Sequence, residues 1–211
     1  MRGKFITFEG PEGGGKSTHV RELAEQLRAE GKTVLVTREP GGTRLAELIR
    51  GLVREEVEDP PVTRCEVLLF IAARAQVVSE VIRPALARGE WVICDRFADS
   101  TFAYQGYGRG IDVGLLKNFN DFATEGLVPD LTILLDVPPE TSKARLAERQ
   151  AATATSADRI EQAGDMFHRR LRDGFLELAK AEPDRFVVID SSGPREEVSD
   201  RVWTAVRNLQ A

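Results

Sequence analysis

The run Gly10-Pro11-Glu12-Gly13-Gly14-Gly15-Lys16-Ser17 constrains this chain more than any other segment. It fits G-x-x-x-x-G-K-[ST] in full, and its setting matches: the apolar stretch 5–8 precedes it and a helical pattern follows from Thr18. A strand must therefore deliver the chain into a glycine turn that opens a helix. The residue types serve one chemistry. Glycines let consecutive backbone N–H groups turn inward as a nest for a β-phosphate, and the helix N-terminus adds free donors and its dipole. Lys16 can reach β- and γ-phosphate oxygens, while the Ser17 hydroxyl can ligate Mg²⁺. Residues Gly10 to Thr18 are expected to cradle a nucleoside triphosphate.

The rest of the pattern predicts what surrounds that cradle. Strands are expected at 4–8, 33–37, 91–94, 131–136 and 186–190. They are short, β-branched or aromatic-rich, and mostly without alternation, as strands buried on both faces should be. Helices are expected at 16–30, 43–56, 63–88, 99–107, 112–125, 139–149, 159–182 and 194–209. Right-handed crossovers then give an α/β fold, a parallel sheet with helices on both faces. The 211 residues, 42% of them hydrophobic, fit one domain with a packed core. No apolar run approaches the roughly 18 residues of a membrane span. Residues 1–9 carry no signal-peptide core, and Cys65 and Cys94 lack the spacing of a disulfide framework or zinc site. A cytoplasmic, reduced setting is expected.

The formal net charge of -5 argues against general nucleic-acid binding. Yet 23 of the 29 basic residues are arginine. Base composition of the genome is one explanation. Focused anion binding is the other, because guanidinium grips phosphate through two parallel hydrogen bonds.

A phosphate cradle does not define a reaction. A regulatory GTPase would carry an Asn-Lys-x-Asp guanine reader, and only Lys117-Asn118, in the wrong order, comes near it. A motor or helicase would end a strand in Asp-Glu, whereas the candidates here end Asp95-Arg96 and Asp136-Val137. An acid followed by arginine suits an enzyme that holds two phosphorylated molecules end to end. A small-molecule kinase is favoured. A nucleotide-dependent switch or binding module is the alternative from another class, and it predicts slow hydrolysis without an acceptor.

The segments Phe8-Glu9-Gly10-Pro11-Glu12-Gly13, Thr37-Arg38-Glu39-Pro40-Gly41-Gly42-Thr43, Leu69-Phe70-Ile71-Ala72-Ala73-Arg74, Cys94-Asp95-Arg96, Ser100-Thr101-Phe102-Ala103-Tyr104-Gln105-Gly106, Pro129-Asp130-Leu131-Thr132 and Asp158-Arg159-Ile160-Glu161 together span nearly the whole chain. In them the sequence resembles the thymidylate kinase family. The resemblance implies the reaction ATP + dTMP → ADP + dTDP, a five-stranded P-loop NTPase fold with a short lid, a cytosolic homodimer, and Mg²⁺. Another nucleoside- or deoxynucleoside-phosphate kinase is the alternative within the class.

The same resemblance implies roles at matching positions. Phe70 stacks on thymine and Arg74 donates to its O4; both fall on one helical face, where core packing is the other reading for Phe70. Gln105 with Thr101 meets the pyrimidine edge, and Ser100 shares a face with Tyr104, which packs near sugar C2′. Glu12 reaches the 3′-hydroxyl side. Arg96, assisted by Arg50, binds the dTMP phosphate, and the carboxylates of Asp95 and Glu39 lie near Mg²⁺ or its waters. The bond before Pro40 tends to be cis in the family. Gly13 stands where some relatives carry a catalytic arginine, and such variants supply cations from the lid instead. Residues 150–157 carry neither charge nor large apolar side chains, so a lid near 149–159 is expected, bracketed by Arg145, Arg149 and Arg159. Arg149 is the first choice for stabilising the transferring phosphoryl group. Phe97, His19, His168, Cys65 and Cys94 match no catalytic position; the histidines are read as capping or surface residues and the cysteines as small hydrophobic ones. Arg169, Arg170 and Arg172 are read as a solvated face.

Overall fold

The computed structural model describes residues 2–54, 60–153 and 164–210. Among them, β1 (Phe5–Glu9), β2 (Val34–Arg38), β3 (Trp91–Asp95), β4 (Leu131–Asp136) and β5 (Phe186–Asp190) form one parallel sheet, ordered β2-β3-β1-β4-β5. β1 is central, pairing Phe5 with Val92 of β3 and Ile6 with Leu131 of β4. The expected strands at 4–8 and 91–94 each run one residue further toward the site, so Glu9 and Asp95 belong to strands.

Period-two alternation divides the core. Ile6, Phe8, Ile93 and Ile133 pack beneath α1 (Lys16–Ala29) and α9 (Arg195–Gln210). On the other face Phe5, Val92, Cys94 and Leu134 pack with α3 (Thr63–Val77), α6 (Val113–Thr124) and α8 (Asp165–Ala181). A smaller cluster joins Ala46, Ile49 and Val53 of α2 (Arg44–Arg54) to Ala73 of α3. With apolar layers on both faces, the central strands β1, β3 and β4 are shielded from water, which is why their sequences lack polar alternation. The edge strands β2 and β5 leave Val36 and Val188 exposed.

Two expected helices are more complex than their sequence pattern. The stretch 63–88 contains α3, a π-helical turn Val78–Ile82 and α4 (Arg83–Ala87). The stretch 99–107 is a short α5 (Ala98–Thr101) followed by a π-helix, Phe102–Gly108. The wider turn brings Gly106 and Gly108 against Val113 and Phe167, where a side chain would not fit. α7 (Pro139–Thr153) runs four residues past its expected end, so Arg149 stands on a helix as expected and residues 150–153 of the expected lid are helical too. Residues 154–159 of the expected lid, Arg159 among them, lie outside the described residues, as does the expected helical start at 159–163.

α8 seals the π-helix. At Gly174 a Cβ would sit 2.6 Å from Tyr107 Cβ and Cγ. In a free helix Gly→Ala gains about 1 kcal/mol. Here Gly174→Ala should instead destabilise by about 1–3 kcal/mol through overpacking, measurable as a lower midpoint in denaturant unfolding.

Candidate active site

Three strand ends build the site. β1 runs into the glycine loop, where Gly10, Gly13 and Gly15 have φ of 129°, 71° and 85°. A Cβ at Gly10 would collide with the Leu135 carbonyl oxygen, and one at Gly13 would lie 2.8 Å from the Ser142 carbonyl oxygen of α7. Ser142 also donates its hydroxyl to the Glu12 carbonyl at 2.7 Å. α7 is thus latched to the loop, and position 13 has no room for an arginine. Lys16 lies across the loop, its Nζ donating to the carbonyls of Gly10 (2.9 Å) and Pro11 (2.6 Å). Burial, then the Arg96 charge, push its amino group down to about 8.

At the end of β3 the Ser17 hydroxyl donates to Asp95 Oδ2 at 2.6 Å. A hydroxyl and a carboxylate are hard oxygen donors that suit Mg²⁺ when phosphates and water complete its shell. Among the described residues no group of three or more His, Cys, Asp or Glu is placed to hold a metal. A cation at Ser17 and Asp95 therefore depends on ligands brought by substrate.

Arg96 takes φ of 70°, the left-handed region that a non-glycine residue enters at a cost of order 1–3 kcal/mol. The surrounding turn is tied to β1: the Phe97 N–H and the Ser100 hydroxyl both donate to the Glu9 carboxylate, at 2.7 and 2.5 Å. So held, the Arg96 guanidinium donates to Gly10 O (3.0 Å), Ser100 Oγ (2.9 Å), Glu12 Oε1 (2.8 Å) and Tyr104 Oη (3.0 Å). Tyr104 Oη donates in turn to the Glu12 carboxylate at 2.6 Å. Burial opposes charge on Glu12, but Arg96 and Lys16 outweigh it and hold the carboxyl below its usual range.

At the opposite end, α3 presents Glu66, Phe70 and Arg74 at i, i+4 and i+8, one helical face. Arg74 is 2% exposed. It donates through Nε to Glu39 Oε2 (2.7 Å), through Nη1 to Asn120 Oδ1 (3.3 Å), and through Nη2 to Phe97 O (3.0 Å) and Thr101 Oγ1 (3.1 Å). Four of a guanidinium's five N–H groups are engaged, which leaves one Nη1 hydrogen for a ligand. Glu39 therefore stands against Arg74, its carboxyl raised by burial, with Oε1 unpartnered. The Glu39–Pro40 bond is cis, and Arg50 donates to the Pro40 carbonyl at 2.8 Å.

One cleft of about 540 Å³ spans these groups. Its lining includes Glu12, Gly13, Gly15, Lys16, Ser17 and Thr18 at one end and Phe70, Arg74, Thr101 and Gln105 at the other. Between them stand Glu39, Arg50, Asp95, Arg96, Ser100 and Tyr104, with Arg145 and Arg149 from α7 at the rim. Arg145 also reaches the carbonyls of Gly13 and Ser192, each at 3.3 Å. Gly10, Pro11 and Gly14 complete the loop without lining the cleft.

Several residues at the site were not anticipated. Glu9 and Glu66 are buried carboxylates whose signal was present in periodicity, Glu9 by strand alternation and Glu66 by its helical spacing to Phe70. Arg38 lines the cleft and pairs with Glu47 at 3.1 Å. Phe97 is packing, edge-on to Phe5 at 5.0 Å and beneath the Arg74 guanidinium. His19 is buried rather than on the surface, bonded to Glu22 and Ser199, and Cys65 is exposed. Arg172 leaves the solvated face to grip Asp136 with two bonds, 2.7 and 2.8 Å.

A model of the thymidylate kinase family matches residues 8–202. The chain belongs to the thymidylate kinase family. It is 51% identical over 206 residues to a thymidylate kinase of Deinococcus radiodurans, covering 97% of each chain. It is 48% identical to that of Solidesulfovibrio magneticus, with 97% of this chain and 99% of the other covered. The crystal structure of thymidylate kinase from Ehrlichia chaffeensis superposes with a TM-score of 0.77 at 36% identity, over 98% of this chain and 99% of that one.

Glu9 gives the family fold here a testable pH dependence. Burial, then the neighbouring Asp99 carboxylate, raise its carboxyl from 4.5 to about 8. Between those values the folded protein keeps a proton that the unfolded chain has released, so the stability from Glu9 is present below pH 4.5 and lost by about pH 8. Glu9→Gln removes this titration. Thermal melts should show the wild type losing stability relative to the variant as pH rises across that window, and a difference independent of pH would contradict the assignment.

Proposed function

We propose that the cleft is a phosphoryl-transfer site in which two nucleotides meet end to end. The chain transfers the γ-phosphoryl group of ATP to dTMP, giving dTDP and ADP. The observation that carries this reading is the single cleft running from Lys16 and Ser17 to Phe70, Arg74 and Gln105. A switch protein has no use for the second end.

The residues divide the work by chemistry. The backbone N–H groups of the glycine loop and Lys16 grip the β- and γ-phosphates. Arg96, supported by Arg50, receives the dTMP phosphate and sets it in line for attack. Glu12 and Tyr104, already hydrogen-bonded to each other, flank the deoxyribose. Phe70 stacks on the base, Thr101 and Gln105 meet its edge, and the remaining Arg74 N–H faces O4. Arg145 contributes on the ATP side, and Arg149 stabilises charge on the transferring group; Arg159, outside the described residues, remains in the same proposed set. Ser17 and Asp95 would hold Mg²⁺, which neutralises phosphate charge when bound. No described helix is long and apolar enough to cross a membrane, and a cytoplasmic setting stays our reading.

A homodimer is supported by an apolar face. On α2, Leu45, Leu48 and Leu52 are exposed; on α3, Leu68; on α6, Leu115, Phe119 and Phe122. These helices pack side by side, and a second copy of the same face would bury them.

Three measurements test these readings. ADP release assayed across nucleoside monophosphates should favour dTMP, and equal rates with dCMP, AMP and GMP would defeat the assignment. Arg149→Ala should lower kcat by about 10²–10³ while changing either KM little, as for a contact made mainly in the transition state. For the dimer, Leu48→Glu combined with Phe122→Glu should halve the mass seen by light scattering; a wild type already monomeric would refute it.

A further inference from the structure

We propose that Glu66 is a positioning residue that makes the cleft read the N3–H of the pyrimidine, acting through Gln105; this rests on the dTMP reading above. Glu66 is fully buried and Gln105 is 2% exposed. Gln105 Nε2 donates to Glu66 Oε1 at 2.9 Å, and Arg109 Nη2 donates to Glu66 Oε2 at 3.3 Å. A carboxylate only accepts hydrogen bonds. The Gln105 amide must therefore present its amino group to Glu66 and leave its carbonyl oxygen, Oε1, on the other side. Gln105 lines the cleft, and Oε1 has no hydrogen-bond partner among the described residues.

The reverse orientation would set a carbonyl oxygen against a buried carboxylate, leaving acceptors unpaired on both residues. Glu66 thus removes the ambiguity that a glutamine normally has. The outcome is an acceptor, Gln105 Oε1, in the same cleft as a donor, the remaining Arg74 N–H. Thymine shows the complementary pair, a donor at N3 and an acceptor at O4. Cytosine shows the inverse, an acceptor at N3 and an amino group at C4, and meets acceptor with acceptor and donor with donor.

The arrangement makes a specific variant informative. In Glu66→Gln, Arg109 still demands an oxygen, so the new amide turns its carbonyl to Arg109 and its amino group toward Gln105. Gln105 then has to accept, and it swings its own amino group into the cleft, where it matches cytosine N3. We expect the ratio of kcat/KM for dTMP over dCMP to fall by about ten-fold or more, with KM for ATP unchanged. A residue that merely stabilised the fold would lower both monophosphates equally.

The wild type is assayed first: without dTMP turnover the functional reading fails. With wild-type turnover intact, an unmoved ratio, an equal loss for both monophosphates, or dCMP turnover undetectable in both proteins overturns this inference alone. Should Glu66→Gln not purify folded, nitrogen-15 NMR of the wild type decides. The Gln105 side-chain amide hydrogens should be protected from exchange and stay bonded to Glu66 when dTMP is added. Transfer of those hydrogens to the base would overturn the proposal.

Discussion

The Arg96 guanidinium is the tie on which the site depends. It leaves a turn held in the left-handed region and reaches Gly10, Glu12, Ser100 and Tyr104. Those partners belong to the phosphate loop after β1, the β3 exit and the π-helix, segments that Ser17–Asp95, Tyr104–Glu12 and the bonds to Glu9 also join. Each bond to a charged donor is worth about 1.5–3 kcal/mol net, comparable to the backbone strain it offsets. The strain is affordable because Glu9 fixes the neighbouring turn from below, through Phe97 and Ser100.

Beneath the cleft lies a polar layer inside an apolar fold. Asp99 and Arg185 form two hydrogen bonds of 2.8 and 2.9 Å, and Arg185 also donates to Thr132, whose hydroxyl meets that of Thr7 at 2.9 Å. Glu39 and Glu66, also buried, bond Arg74 and Gln105. Buried ion pairs of this kind contribute little net stability, since desolvation consumes most of the Coulomb gain. Their consequence is directional. The bonds of Glu39 to Arg74 and of Glu66 to Gln105 engage cleft-lining residues and limit which donors and acceptors those residues have left to offer.

The arginine excess resolves into separate uses in this light. Arg50, Arg74, Arg96, Arg145 and Arg149 line the cleft, where planar multi-donor geometry matters. Arg172 and Arg185 serve the fold, gripping Asp136 and Asp99. Arg169 and Arg170 stay on the exposed surface and fit the compositional explanation. The acidic total is compatible with binding anions because the cations are concentrated in one concave region rather than spread over the surface.

Sequence alone determined the elements governed by local physics. Glycine spacing, apolar runs and helical periodicity depend on neighbours within a few residues, so the phosphate loop, the strands and Phe70 with Arg74 on one face were all legible. The family motifs also placed most of the cleft lining. Tertiary structure decided what depends on distant partners. That Glu39 faces Arg74, that Gln105 donates to Glu66 and that Glu9 meets Ser100 follow from packing between segments 35 to 91 residues apart, and 102–108 is a π-helix whose glycines meet Val113 and Phe167. A carboxylate reads the same in sequence whether water or a guanidinium faces it; only burial tells them apart.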